Sequence, residues 1–387
     1  MSREHEVVIV GAGIAGASLA YFLAERGVGD VVLLERESQL AVHSTGRSAA
    51  TLSEFDGNLT LLELKIRSAP FFRSPPPGFA EHPILRETGV VTLLSEATWS
   101  AVTALASMWK ERGLAFELLS SDAVRAVVPV LETSEFAGGV LIPRDGRIDV
   151  HEVLTSYLRR ARTAGAEVVL GAAVDGVLVE GGRCRGVRAG DREIRARVVV
   201  DAAGAWAGRV ATMAGASPIA LGPLRRTIVT FPVPPGLDVQ GWPLVGSEPH
   251  TIYFAPEAGD LMLSPMDEVP MEPCDPKPDD ETIAAAIERL ARLAPALRPA
   301  TLKRRWSGLR TFSPDRVHVV GEDPALPGFF WLAGQGGCGI ETSPVIGRVA
   351  ADLIVDGATT AYDARSLAPD RFLRVPKLGG DYPGIDT

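Results

Sequence analysis

Two short apolar runs open the chain: VVIV at residues 7–10 and VVLL at residues 31–34, separated by three glycines and a helical pattern. Runs of this length bounded by turn residues read as strands buried on both faces. Residues 1–55 therefore predict strand, helix, strand and a loop. Residues 56–147 are mixed, with Pro75, Pro76 and Pro77 as punctuation. From Asp149 to Arg162, Val150, Val153, Leu154 and Leu158 mark one face of a helix. Residues 167–190 alternate like strands joined by glycine turns, and ARVVVDAAGAW (196–206) is a strand running into a small-residue turn. Residues 220–316 alternate as β segments around one helical stretch, 279–297. Residues 328–355 close the pattern as strand, glycine loop and helix, and KLGGDYPGIDT (377–387) reads as a tail.

A chain of 387 residues exceeds one ordinary domain. The strand–helix pattern of the first residues is interrupted by β-rich segments and then resumes. The expectation is an α/β (α+β) fold: a Rossmann-like dinucleotide-binding domain, discontinuous in sequence, with an inserted substrate domain on an antiparallel sheet. The expected segments are 1–77, 148–219 and 317–387 for the first domain, and 78–147 and 220–316 for the second.

Composition narrows the function classes. Hydrophobic content of 46% and charged content of 22% are those of a globular chain with ample core material. A net charge of −9 argues against non-specific nucleic-acid binding and a basic membrane-surface patch. Cys184, Cys274 and Cys338 are scattered with no CxxC pair, so neither a disulfide framework nor a zinc site is indicated. Among the histidines His43 sits in the polar loop, and the others form no ligand-spaced pair; no metal is expected. No secretory pattern and no membrane span is read at the N-terminus, so a cytoplasmic location is expected.

The first chemistry lies in GAGIAG. Gly11, Gly13 and Gly16 follow a strand directly and open a helix. Gly11 permits a tight turn, Gly13 lets backbone approach a pyrophosphate, and Gly16 lets the helix pack on the strand. The helix start adds free N–H groups and the positive end of a dipole. Glu35 ends the second strand, 19 residues after Gly16, close to the ~20 of a carboxylate that holds a ribose 2′-OH. NAD and FAD both satisfy this pattern. The stretch VHSTGRSAATLSEF (42–55) offers Ser44, Thr45, Arg47 and Ser48 for an extended phosphorylated ligand, and also reads as an ordinary polar surface loop.

HSTGRSAA (43–50) after GAGIAG resembles the FAD-dependent D-amino-acid oxidase superfamily, which includes glycine oxidase, sarcosine oxidase and the D-amino-acid dehydrogenases. The likeness continues collinearly through PPPGFAEHPIL (75–85), VVPVL (127–131), DAAGAWAG (201–208), LRRTIVTF (224–231), YFAP (253–256), WSGLRTFSPD (306–315) and FFWLAGQGGCGIETSP (329–344). Within the superfamily it runs toward the bacterial D-arginine dehydrogenase type. The resemblance implies non-covalent FAD, contacted by Gly11, Gly13, Ala15, Gly16, Glu35, Arg36, Ser44, Thr45, Gly46, Arg47, Ser48, Ala49, Ala50, Val174, Gly204, Gly336, Gly337, Gly339 and Ile340. It implies oxidation of the Cα–N bond of a D-amino acid by hydride transfer to flavin N5, giving an imino acid that hydrolyses to a 2-oxo acid and ammonia. A substrate carboxylate calls for the planar fork of an arginine, and Arg310 matches the family's. Tyr253 matches the tyrosine that helps it. Arg225 is a further candidate, although a strand points Arg225 and Arg226 to opposite faces.

The implied substrate pocket comprises Thr51, Asp56, Val90, Gly337 and Cys338. It departs from the D-arginine pattern: Val90 stands where that type has a glutamate, Asp56 where it has a tyrosine, and Thr51 where it has a histidine. The expectation is an apolar wall at Val90, disfavouring arginine, and a loop over the entrance carrying Asp56, which would supply a carboxylate for a cationic side chain if it points inward. Oxidation of a 2-hydroxy acid or of an N-methyl or secondary amino acid remains the alternative. The electron acceptor, oxygen or a quinone-type carrier, is left open.

Overall fold

Val7, Ile9, Val31 and Leu33 point to one side of a sheet and Val8, Val10, Val32 and Leu34 to the other, and both sides are covered. This is why the two runs are continuously apolar rather than alternating. On the first side lie the helices Ile14–Glu25, Val150–Thr163 and Ser343–Asp356, through residues such as Leu19, Leu23, Tyr157 and Val349. On the second side lie the helix Ala207–Ala214 and side chains such as Val187 and Trp331. Each such fully buried aliphatic side chain contributes roughly 1.5–3 kcal/mol. The structure, a computed structural model, describes residues 4–373. The expected tail, 377–387, and with it the end of the third expected cofactor segment, lies outside the described residues.

The strands Glu167–Val169, Val31–Leu34, Glu4–Val10, Arg192–Asp201 and Phe329–Ala333 run parallel, side by side. Val319–Glu322 pairs antiparallel at the edge, and a hairpin, Gly176–Glu180 with Arg183–Ala189, pairs with the first half of Arg192–Asp201. The helix predicted from Asp149 is Val150–Thr163, capped by the Asp149 carboxylate, which accepts from the Glu152 N–H at 2.9 Å.

A second, nine-stranded sheet is built from residues 90–142 and 222–312. It is antiparallel except where Leu244–Ser247 runs parallel to Val90–Leu94. About 150 residues separate those two strands, long enough for the crossover that parallel pairing needs. One face of this sheet, with Val229, Phe231, Phe254 and Leu263, is covered by the helix Asp280–Leu293. The other face presents Ile228, Tyr253, Ala255 and Met262, against which Ala49 of the polar loop packs. A small third sheet, Thr51–Leu52, Gly146–Ile148 and Leu85–Glu87, ties the end of that loop to Arg147.

Candidate active site

The strand Glu4–Val10 ends at Gly11, where φ is +105° and an added Cβ would lie 2.5 Å from the Ala202 carbonyl oxygen. Only glycine lets the two parallel strands and the turn come this close. A Cβ on Gly16 would lie 2.1 Å from the Gly11 oxygen, so helix and turn pack backbone to backbone. Glu35 Oε2 accepts from the Ala12 N–H at 3.1 Å and Oε1 from Glu37 N–H at 3.0 Å, which fixes the carboxylate at the mouth of the turn. Thr45 Oγ1 accepts from the Ile14 N–H at 3.1 Å, leaving the first-turn N–H groups of Gly13, Ala15 and Gly16 for an anion.

Gly11, Gly13, Glu35 and Thr45 border a cavity of about 390 Å³ that also includes Arg36, Ser44, Val174, Gly204 and Trp206. The Arg36 guanidinium lies 4.6 Å over the Trp206 ring, and the His43 ring is 4.6 Å from it on a tilted plane. A ribose acceptor, a phosphate-facing helix start and an aromatic wall in one crevice fit the adenosine diphosphate half of FAD. Trp206 escaped the sequence reading of the cofactor site, although it stands inside the quoted DAAGAWAG motif, and His43 was placed at the cofactor loop without a role.

The polar loop is bound to the second sheet. Ser44 Oγ donates to the Leu309 carbonyl at 2.6 Å, and Trp306 Nε1 donates to the Arg47 carbonyl at 3.2 Å. Arg47 itself donates to the carbonyls of Val42 and Ser307 and pairs with Asp275. Arg47 thus staples loop to sheet. Gly46 lies against the Ala41 carbonyl, Ser48 Oγ accepts from Ala50 N–H, and Ala50 adopts a φ of 55°.

The strands Gly222–Pro232 and Arg304–Phe312 pair with Leu224 opposite Arg310 and Arg226 opposite Gly308. Directly opposed residues share a face, so Arg226 stands on the face of Arg310, and Arg225 does not. The Arg225 expectation is corrected accordingly: its Nε donates to Asp267 Oδ2 at 2.9 Å and its Nη2 to Thr282 Oγ1 at 3.2 Å, toward the covering helix. Arg226 is buried, held by the Asp267 carbonyl at 3.0 Å and Glu268 at 2.9 Å, with Nη1 lacking any partner. Burial, and then the neighbouring Arg310, bring its guanidinium down to about 10.

Tyr253 lies on the same face, and its buried hydroxyl, like Arg226 Nη1, has no hydrogen-bond partner among the described residues. The half-buried Arg310 has no hydrogen bond or ion pair among the described residues, and its Nη1 would be 2.6 Å from a Cβ on Gly337. Gly336, with φ of +51°, packs as closely on the Phe312 ring, and Gly339 lies beside the Gln335 side chain. Ile340 turns into the core instead. The loop 334–342 therefore lies directly on Arg310, as only glycines allow.

The expected pocket residues divide. Val90 is buried on the strand opposite Leu244, on the face that carries Tyr253. Thr51 pairs with Arg147 and donates its hydroxyl to the Ala49 carbonyl at 3.3 Å. Asp56 lies in the loop before the helix Leu59–Arg73, but its carboxylate is 7% exposed and not free for a substrate cation: its Oδ2 is 2.8 Å from Lys65 Nζ. The pairing has a simple cause, since Lys65 continues the buried stripe Leu61–Phe72 of the helix Leu59–Arg73 and needs a counter-charge. Cys338 lies in the loop, where burial pushes its thiol up to about 12, so it is inert as a nucleophile at neutral pH. Lys65, Glu341 and Arg226 escaped the sequence reading. A lysine inside an apolar stripe was the available signal for the first.

Comparison with known proteins agrees with this architecture. Residues 6–353 match the model of the DAO family, described as FAD dependent oxidoreductase. Glycine oxidase of Geobacillus kaustophilus is 27% identical over 396 residues, covering 98% of this chain and 100% of its own. Mitochondrial sarcosine dehydrogenase of Mus musculus is 26% identical over 379 residues, covering 93% of this chain. The chain spans only 41% of that dehydrogenase, and a similar share of other mitochondrial relatives. Among solved structures, L-proline dehydrogenase from P. horikoshii superposes with a TM-score of 0.86 at 24% identity, over 97% of this chain and 99% of the other. With the crevice, the glycine turn and a family match over most of its length, the chain belongs to the DAO family of FAD dependent oxidoreductases.

Proposed function

We propose that the chain oxidises the Cα–N bond of a small amino acid whose carboxylate is held by Arg310. The observation that carries this reading is a convergence of groups on one sheet face: the Tyr253 hydroxyl and Arg226 Nη1, buried without a hydrogen-bond partner among the described residues, and Arg310, which makes no hydrogen bond among them. Buried polar groups are rarely left unpaired, and a carboxylate would satisfy all three. FAD, when bound, supplies the hydride acceptor. Arg310 grips the two carboxylate oxygens in its fork, Tyr253 donates to one of them, and Arg226 adds positive charge behind. The grip aims Cα toward the cofactor and turns an encounter into an oriented complex. The loop 334–342, seated on Arg310, walls one side of the site. The imino acid so formed hydrolyses to a 2-oxo acid and ammonia.

In this reading residues 1–77, 148–219 and 317–387 serve FAD, and residues 78–147 and 220–316 serve the substrate. The D configuration, where Cα bears a side chain, is the expectation carried by the sequence resemblance. A guanidinium side chain finds no acid at Val90, and Asp56 is committed to Lys65, so glycine-like or small apolar substrates are favoured over arginine. N-methyl amino acids form a second reading, supported by relatives named sarcosine and dimethylglycine dehydrogenase. The test is anaerobic bleaching of the flavin by D-amino acids, glycine, N-methylglycine and 2-hydroxy acids in parallel. Bleaching by an amine, with ammonia or methylamine released, supports the reading. Bleaching by 2-hydroxy acids alone, or by nothing, refutes it.

A further inference from the structure

Behind the loop that carries Gly337 lies a buried cluster with no part in gripping substrate. Lys65, its side chain 5% exposed, places Nζ 2.8 Å from Asp56 Oδ2 and 3.2 Å from Glu341 Oε1. Glu341 Oε2 accepts from the Ser53 N–H at 2.7 Å, and Asp56 Oδ1 from the Asn58 N–H at 2.8 Å. Three segments therefore meet on one ammonium: residues 53–58, the helix Leu59–Arg73 and the loop 334–342. We propose that Lys65, clasped between Asp56 and Glu341, is a positioning residue that locks the glycine loop 334–342 against Arg310 and so sets the affinity of the carboxylate site.

The loop is a thin wall. On one side Gly337 touches the Arg310 guanidinium. On the other, Glu341 reaches Lys65, and the Cys338 thiol is within electrostatic reach of Lys65, Glu341, Asp56 and Arg310. Other titratable groups face the cluster. His318 Nε2 is hydrogen-bonded to Thr342 Oγ1 at 2.8 Å and feels the Lys65 charge. Asp145, bound to Glu54 N–H and Arg73, faces Glu341. Burial disfavours the Lys65 ammonium, but Asp56, Cys338 and Glu341 outweigh it and hold its pKa well above the usual lysine value. Burial likewise raises Glu341. Removing Lys65 would leave two buried carboxylates with no cation between them. The stable responses are protonation of one or movement of the loop toward water.

This inference rests on the carboxylate reading of Arg310, and the experiment separates the two. The FAD-loaded enzyme is titrated with acetate, read by perturbation of the flavin absorption, at pH 6 and pH 8. Wild type is expected to vary less than threefold between them. Lys65→Met should weaken acetate binding at least tenfold at pH 8, with at least threefold of that loss relieved at pH 6, where one acid is protonated. Glu341→Gln cuts the loop tie but keeps the Lys65–Asp56 pair, so it should fold, and should weaken binding at least threefold. Asp56→Asn leaves the loop tie intact and should change it less than threefold. Should Lys65→Met fail to fold, the Glu341→Gln and Asp56→Asn pair decides alone. The proposal is overturned if Glu341→Gln binds acetate like wild type, if Asp56→Asn costs as much as Glu341→Gln, or if the loss in Lys65→Met is the same at both pH values. Acetate binding by Arg310→Ala at wild-type strength would instead sink the carboxylate reading itself.

Discussion

Arg310→Ala probes the site most directly. Arg310 is half-buried, makes no hydrogen bond or ion pair among the described residues, lies within electrostatic reach of Glu268, and sits against the backbone of Gly337 with its face shared by Tyr253 and Arg226. Truncating one side of a buried charged pair costs about 2–5 kcal/mol. At about 1.4 kcal/mol per tenfold, the whole range is roughly 30- to 4,000-fold in kcat/KM. Arg226 Nη1 and the Tyr253 hydroxyl remain to hold one carboxylate oxygen, so the loss belongs in the lower half, roughly 30- to 300-fold. Arg310→Lys should recover only part of it, because a point charge does not reproduce the fork. FAD content should match wild type, since Arg310 lies on the second sheet, away from the adenosine crevice. The assay is kcat/KM for the best substrate of the anaerobic screen, with the FAD-to-protein ratio measured on the same sample. Wild-type turnover by a variant that retains FAD would refute the placement of the carboxylate site. Loss of FAD would show that Arg310 belongs to the cofactor's environment instead.

Tyr253→Phe removes a buried hydroxyl that has no protein partner; its Tm should equal or slightly exceed that of wild type, while KM rises by roughly tenfold for the loss of about 1.5 kcal/mol. A large fall in Tm would contradict the unpaired hydroxyl. Glu35→Ala should weaken FAD retention by about 1–3 kcal/mol, measured as the Kd for FAD on reconstitution, and unchanged retention would remove Glu35 from the ribose site. His318 is buried, and its pKa is lowered by that burial from 6.5 to about 3. The folded state therefore refuses a proton that the unfolded state accepts, so this contribution is complete above about 6.5 and is lost as pH falls toward 3, at up to about 1.4 kcal/mol per pH unit. Unfolding of wild type and His318→Gln between pH 7.5 and pH 5 should show a steeper loss in wild type, and equal slopes would contradict it.

The cofactor crevice was legible in the sequence because its chemistry is local. A buried strand, Gly11, Gly13 and Gly16, a helix start and Glu35 all fall within the first 35 residues, and their spacing follows from backbone sterics and helix geometry. The helix from Asp149 and the one within 279–297 were legible for the same reason, since period and cap lie within a few turns. Arg310 and Tyr253 were recognisable from their motifs, but that they share a face, and that the buried Tyr253 hydroxyl has no hydrogen-bond partner among the described residues, are properties of the assembled sheet. Strand periodicity established that Arg225 and Arg226 point opposite ways. Which of them shares a face with Arg310 required the register between strands some 80 residues apart. Asp56 and Val90 show the same limit. Asp56 read as a loop acid because its partners, Lys65 and Glu341, come from a helix and from a loop 285 positions away. Val90 reaches the face of Tyr253 only through a parallel pairing with Leu244 across a long connection. Local sequence determines elements and turn chemistry through short-range sterics. Which charges end buried together is decided by packing, because only the folded chain removes the water that would otherwise keep them apart.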